Sequence, residues 1–451
     1  MEMPKAPRFV KLLGPSFILL GLGLGSGELI LWPYLTSNFG MDIIWAAVLG
    51  VTFQFIINME IERYALSCGE SIFVGYHKLS KILPFWFIFS TLLAWIWPGI
   101  IGTSARLFGE VFGINNFGLL GIFLLILIGI ILTLGPVLYK TVEKLALILI
   151  LTGIPLIIFL TFYMAKITDY NALLIGLTGF TKQFPESLPI ASFLAAFAFA
   201  GAGGNLNLAQ SFYIKEKGYG MGKFGGRITS ILTGKVEEIK LEGEHFKLTD
   251  INLKRFKDWW KLVNLEHLLV FWCGSVVSIL LLSLLAYSTV FGKVTPQGGV
   301  DFMIFESIEI AKQTLPFFGT LFLIIGGVML FNTQLTVLDA TSRIMAENLL
   351  LVKRNSWSTR NLPKIYYFFL WLQIISGIAI FILNFGQPLA LITTSAVLNA
   401  VSMFVHIGLT LWLNNRELKE KIRPNIFRLV LMICAFIFFG YFSFKVIADI
   451  F

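Results

Sequence analysis

Charge is what this sequence has least of: Asp, Glu, Lys and Arg make up 14% of its 451 residues. A soluble domain draws about a quarter of its residues from these four types, so a water-facing surface over most of the chain is excluded. Cysteine is nearly absent. Cys68, Cys273 and Cys434 stand far apart with no CxxC pair, which excludes a disulfide framework or cysteine-based metal site and leaves three small apolar residues. The histidines His77, His245, His267 and His406 form no cluster, and only His406 falls inside an apolar run; there it reads as a packing or hydrogen-bonding residue. No phosphate loop, Ser-His-Asp arrangement or zinc spacing is present, so neither an ATP-driven pump nor a membrane enzyme is expected. No A-x-A-like site follows Lys5, Arg8 and Lys11, and the apolar stretch behind them is too long for a cleavable signal.

What the chain does have is apolar length. Hydrophobic residues make up 57%, the mean hydropathy is +0.81, and these residues come in stretches of about 20, enough to span a bilayer as helix. Backbone groups cannot go unpaired in lipid, so such stretches must be helical. Eleven spans are predicted, at roughly 12–39, 43–59, 83–112, 117–138, 142–164, 189–213, 262–291, 315–351, 363–383, 388–413 and 426–447. The expected architecture is an all-α membrane protein forming one transmembrane domain over 1–451. The net charge of +9 does not signal nucleic acid. Lys and Arg fall in alternate short loops, including Arg63, Lys78, Lys81, Lys140, Lys144, Lys353, Arg354, Arg416 and Lys419. That bias places the N-terminus in the cytoplasm and the C-terminus outside the cytoplasmic membrane. The polar loop 214–261 then lies inside and reads as a solvated connector. Its stretch 225–250 alternates apolar and polar residues, suggesting a β-hairpin, before 254–262 leads helically into the next span with Trp259 and Trp260 at interfacial depth.

Two spans carry breakers in their middles. The first reads Gly21-Leu22-Gly23-Leu24-Gly25-Ser26-Gly27-Glu28, and the sixth Gly201-Ala202-Gly203-Gly204-Asn205-Leu206-Asn207. Interior glycines each cost a helix about 1 kcal/mol. Either cluster alone reads equally well as a close helix contact. The matched pair, in positions one and six, points to an inverted-repeat transporter with helices 1 and 6 broken. Spans 12–164 then form one repeat, 189–413 the other, and 426–447 is an added eleventh helix. Unwound backbone at mid-membrane lines a cavity, which places a substrate site at Gly25, Ser26, Gly27, Glu28, Gly203, Gly204, Asn205 and Asn207.

The chemistry available there is limited. Glu28 is a carboxylate at membrane depth and a functional candidate by default: a cation ligand, a proton carrier, or the partner of Arg106. Asn205 and Asn207 supply hard neutral oxygens that suit Mg2+, Ca2+ or Na+, and Asn equally caps a freed helix end. Gln210 lies further along the same helix. The eighth span carries Asn332, Thr333, Gln334, Thr336, Asp339 and Arg343; the last two are four apart and form an ion pair or a gate. Arg106 and Glu110 repeat that spacing. Gln54, Asn58, Thr393, Thr394, Ser395 and Asn399 extend a polar path or bond between helices. Trp32, Tyr34, Trp95 and Trp97 read as interfacial anchors or cavity walls.

Several of these segments resemble the Nramp family of metal transporters. Gly14-Pro15-Ser16-Phe17 is similar to that family's Gly-Pro-x-Phe opening, Gly25-Ser26-Gly27-Glu28 falls on its Asp-Pro-Gly-Asn motif, and Asn38-Phe39-Gly40 on its Phe-Gly ending. Gly203-Gly204-Asn205 sits about where the family has Met-Pro-His; Asn332-Thr333-Gln334 and Met345-Ala346-Glu347 resemble its eighth-span features. The resemblance implies a LeuT-type fold of five plus five helices. The family's metal-binding Asp, Asn and Met stand here as Gly25, Glu28 and Gly203, and its His as Asn205. Without the soft thioether, preference for transition metals is not expected. The Gly-Ser-Gly run also resembles the break of amino-acid transporters in the APC superfamily, where bare N–H groups receive a carboxylate. The first expectation is thus a secondary transporter of a hard divalent ion such as Mg2+, with Glu28, Asn205 and Asn207 as metal ligands. Glu28, Arg106, Asn332, Gln334, Asp339 and Arg343 would serve coupling or gating, the coupling ion would be H+ or Na+, and no permanently bound cofactor is expected. The alternatives are a transporter of a small organic solute such as an amino acid, and a transport-dead membrane sensor.

Overall fold

The computed structural model describes every residue except 8, 10, 11, 13, 14, 135–137, 180–184, 186, 227–239, 294–299, 385 and 451; of residues 138–143, 145, 146, 148–150 and 450 only the backbone is described. Among the described residues all regular structure is helical. Nine helices are long and apolar enough to cross a membrane, or ten if the pair Leu151–Met164 and Ile167–Leu177, bent by 113°, counts as one span. This is a helical membrane protein.

The first span does not open. Helix α1 (Pro15–Ser26) passes through a π-turn, Gly27–Leu31, into α2 (Trp32–Phe39). The expectation of a broken first helix is therefore corrected: the chain absorbs its glycines by widening one turn and stays helical. Every residue of α1 except Phe17 is buried. Helix α3 (Trp45–Cys68) ends at Gly69, whose φ of 70° closes it in the left-handed region, and α4 (Ile72–Leu79) follows. The third span bends where α5 (Leu83–Trp95) meets α6 (Gly99–Phe112). Pro98 sits at that junction, and proline lacks the N–H a continuous helix needs. Helices α7 (Phe117–Leu134), α8 (Leu138–Met164) and α9 (Ile167–Leu177) complete the first half.

The sixth span does break. Helix α10 (Ile190–Ala198) and α11 (Gln210–Lys217) are separated by Gly201, Gly203 and Gly204, with φ of 113°, 69° and 58°, and by a 3-10 segment, Gly204–Ala209. Positive φ is open to glycine at little steric cost. Helix α12 (Asp250–His267) continues through a second π-turn, Leu268–Trp272, into α13 (Cys273–Val290). After α14 (Asp301–Gln313) comes the longest helix, α15 (Pro316–Val352), which packs against α1, α5, α6, α14 and α16 (Leu362–Ile382). Helices α17 (Pro388–Glu417) and α18 (Ile426–Ile450) close the bundle.

The connector between α11 and α12 is anchored at a few points where it is described, while most of 240–249 stays exposed, as expected of a solvated segment. The backbone N–H of Gly243 donates to Glu70 Oε2 at 3.0 Å, Phe246 is buried, and its ring stacks on Phe256. The chain's first residues lie on α12: Met3 N donates to Asn252 Oδ1 at 3.1 Å and Trp259 Nε1 to Pro4 O at 2.9 Å. Two guanidiniums lie over the Trp260 ring, Arg63 at 4.0 Å and Arg428 at 5.0 Å from its centre. The expected hairpin falls largely on 227–239, outside the described residues; 240–249 form no strand.

Candidate functional site at the helix break

Freed backbone groups at the sixth-span break need partners, because an unpaired group in apolar surroundings is costly. Gln54 of α3 supplies two. Its Nε2 donates to Ala198 O at 2.8 Å and its Oε1 accepts from the Gly203 N–H at 2.9 Å. His406 of α17 bonds Gly204 O through Nε2 at 3.0 Å. Asn399 Oδ1 occupies the space a side chain at Gly204 would need, 1.8 Å from an ideal Cβ. Asn205 turns its amide to α5, donating to Ser90 Oγ and Thr91 Oγ1, each at 2.9 Å.

The glycines of the first span pack onto this break. An ideal Cβ on Gly23 would stand 2.8 Å from Gly201 O, and one on Gly27 only 1.7 Å from Phe199 O. On the α15 side, a Cβ on Gly25 would meet Thr333 Oγ1 at 2.4 Å, and Thr333 donates to Gly21 O at 2.9 Å. Close backbone approach explains the run, as in small-residue helix interfaces. Phe199, at the end of α10, stacks on Trp95 with ring centres 5.3 Å apart. Trp95 is thus a wall beside the break, and Trp32 is fully buried; neither is an interfacial anchor.

Glu28 is completely buried and accepts a hydrogen bond from Ser278 of α13. It does not reach Arg106, whose Nε contacts Asp301 Oδ1 at 3.4 Å in place of Glu28 or Glu110. Arg106 and Asp301 line an open cleft of about 730 Å3 with Asn116, Asn384 and Gln387. Glu28 and Asn205 therefore bond to different helices, α13 and α5. Yet Glu28 Oε1, Asn205 Oδ1 and Asn207 Oδ1 are each buried without a hydrogen-bond partner among the described residues. Asn58 of α3, Asn207 of the 3-10 segment and Asn332 of α15 are buried with both amide atoms unpartnered, and the 3-10 segment packs against both α3 and α15. Buried polar groups normally have partners, which these amides lack among the described residues. Gln334 Oε1 is likewise unpartnered. No group of three or more His, Cys, Asp or Glu able to hold a metal occurs among the described residues.

The ion pair expected on α15 is present and larger than anticipated. Arg343 Nε donates to both Asp339 oxygens, at 3.0 and 2.9 Å. Its Nη1 donates to Glu216 at the end of α11, and Tyr366 of α16 donates to Asp339 Oδ1 at 2.9 Å. This buried cluster ties the second half of the broken span to two continuous helices. Thr393 is half-buried, Thr394 is exposed and bonds its own helix, whereas Ser395 donates to Ala94 O at 2.6 Å. Sequence reasoning missed Ser278, Ser90, Thr91, Glu216 and Tyr366, which become partners only through packing.

No family model and no curated protein matches this sequence. Solved structures do. The manganese transporter of Eremococcus coleocola superposes with a TM-score of 0.70 at 13% identity, over 100% of this chain and 89% of that one. Its complex with an aromatic bis-isothiourea substituted compound gives 0.69 at 14%, with the same coverage. A nucleobase-cation-symport-1 family transporter, closed with bromovinylhydantoin bound, gives 0.57 at 11%, over 99% of this chain and 95% of that one. The chain shares the fold of these transporters.

Proposed function

We propose that this protein is a secondary transporter that moves a small hard cation, of the Mg2+ class, through the break between α10 and α11 by alternating access. The observation that carries this reading is the glycine break itself, with partnerless buried oxygens on Asn205 and Asn207 within it and on Glu28 of the π-turn packed against α10. Oxygen ligands with one carboxylate suit a hard ion that keeps part of its water. The absence of a thioether at Gly203 removes the soft ligand that selects transition metals. Shared fold with a manganese transporter supports a cation as cargo. The test is flux into liposomes holding the purified protein, with Mg2+, Mn2+ and a panel of amino acids. Saturable Mg2+ uptake that falls at least about tenfold in Glu28→Gln and Asn207→Leu is expected. Mg2+ uptake unchanged in both variants would sink the reading.

A second reading, transport of a small organic solute, is favoured by the Trp95–Phe199 stack beside the break and by amide N–H donors that a bare cation leaves unused. Thermal stabilisation by an amino acid and by no metal would select it.

A further inference from the structure

We propose that Glu62, buried beside Gln210 where α3 packs against α12, is a proton-binding site separate from the helix break. Resting on the transport reading above, we further assign to it the coupling of cargo movement to the H+ gradient. Glu62 lies on α3 eight residues beyond Gln54, about 12 Å along the helix at 1.5 Å per residue. It is 0% exposed, and Glu266 at the end of α12 is 1% exposed. The two carboxylates are within electrostatic reach of each other. Glu62 Oε2 accepts from Gln210 Nε2 at 3.4 Å, a long contact, while Glu62 Oε1 and Gln210 Oε1 have no hydrogen-bond partner among the described residues. Ser16 Oγ donates to Glu266 Oε2 and lies 2.8 Å from His267 Nδ1. His267 is stacked between Phe55 and Phe271, its Nε2 unpartnered.

The charged groups on the surrounding helices are engaged elsewhere. Arg63 Nε pairs with Glu60 at 2.7 Å and Arg428 with the same carboxylate at 3.3 Å; Arg428 also donates to Asn264. Arg343 holds Asp339 and Glu216, and Lys215 of α11 acts on Glu347. Helix α1 contributes only Ser16. Glu62 makes no salt bridge among the described residues. A buried carboxylate without a counter-charge in an apolar bundle binds a cation or becomes neutral. A proton satisfies it without the three-ligand group a metal needs, which is not found among the described residues. The step is a simple addition: a proton from water on one face joins a Glu62 oxygen, forms the neutral acid, and leaves to the other face. The unpartnered Gln210 oxygen beside it can accept the resulting O–H.

Infrared difference spectra of the purified protein between acid and alkaline buffers test this without requiring transport. The wild-type protein should show a titrating carbonyl band of a buried carboxylic acid. Glu62→Gln should remove that band, Glu28→Gln should keep it, and Glu266→Gln should shift its titration. If Glu62→Gln does not fold, Glu62→Asp must show the band displaced in frequency. A band unchanged by substitution at Glu62 overturns the site, whatever the flux assay gives. In liposomes, Glu62→Gln should keep cargo exchange at equal pH and lose acceleration by a pH gradient. A gradient response that survives overturns the coupling role, and failure of all flux with the band intact overturns the transport reading instead.

Discussion

Gln54 replaces a missing turn of helix: one side chain on α3 bonds both Ala198 O and the Gly203 N–H across the gap in the sixth span. Removing it leaves a buried donor and acceptor unpaired, each worth about 1–3 kcal/mol. Gln54→Leu should lower the melting temperature in detergent markedly. Gln54→Glu keeps the acceptor and loses the donor, so it should fall between wild type and Gln54→Leu. Equal stability of all three would mean the break finds other partners.

The glycines of α1 are predicted to fail by collision. Gly27→Ala sets a methyl against the Phe199 carbonyl, which is backbone and cannot rotate away. It should abolish folding or separate α1 from the break. Gly25→Ala collides with the Thr333 side chain instead, so Thr333→Gly should restore part of the lost yield and stability. Rescue of Gly27→Ala by the same change would contradict this geometry.

Arg343 neutralises two carboxylates at once. Arg343→Met leaves Asp339 and Glu216 buried together and should destabilise by about 3–5 kcal/mol, the usual result of breaking a buried pair from one side. Arg343→Lys should recover little, because an ammonium does not reproduce the forked guanidinium contact. Tyr366→Phe removes one hydrogen bond and should cost about 1 kcal/mol. Denaturant titration of the three variants checks the order.

The connector segment at Gly243 and His245 lies against Cys68 and is itself tied to the chain's first residues, which strap it down. That thiol is buried, 3.7 Å from His245 Nδ1, beneath the segment whose Lys247 N–H donates to Met1 O at 3.0 Å. With Cys273→Ser and Cys434→Ser as background, adding Asn252→Ala and Trp259→Phe removes two bonds to the strap, about 1 kcal/mol each. Labelling of Cys68 by a maleimide should rise about tenfold or more, since tenfold corresponds to about 1.4 kcal/mol. Unchanged labelling would show that the strap is not its cover.

Glu306 gives a pH effect. It lies on α14, outside the spans, and burial raises its carboxyl well above the ordinary value. The folded state therefore binds this proton more tightly than the unfolded state. The associated stability is full below the ordinary carboxylate range and is lost as pH rises toward the folded value. Glu306→Gln should be more stable than wild type at neutral pH and equal to it in acid. A variant equally destabilised at both would refute the assignment.

That the chain is a bundle of membrane-length helices was readable because about 20 apolar residues in lipid have only one backbone solution; nine or ten such helices, not eleven, occur among the described residues. The break in the sixth span was readable because Gly201, Gly203 and Gly204 carry the positive φ a break requires. The same signal misled in the first span, where Gly23, Gly25 and Gly27 serve close approach within a continuous helix. Composition cannot separate those uses; the partner surface does. Arg343 and Asp339 were legible from spacing, but Glu216 and Tyr366 come from other helices, as does Ser278 for Glu28. Nor did the polar composition of 214–261 show that 240–249 would find Glu70.

The π-turn at Gly27–Leu31 makes the heading of Glu28 a matter of backbone count. Each residue advances a helix by about 100°, and a π-turn accommodates one residue more than an α-turn. Deleting a single residue there would restore regular helix yet swing α2 by roughly a quarter of a turn against α1. The side chains would be almost unchanged in kind, and the carboxylate would no longer point at α13.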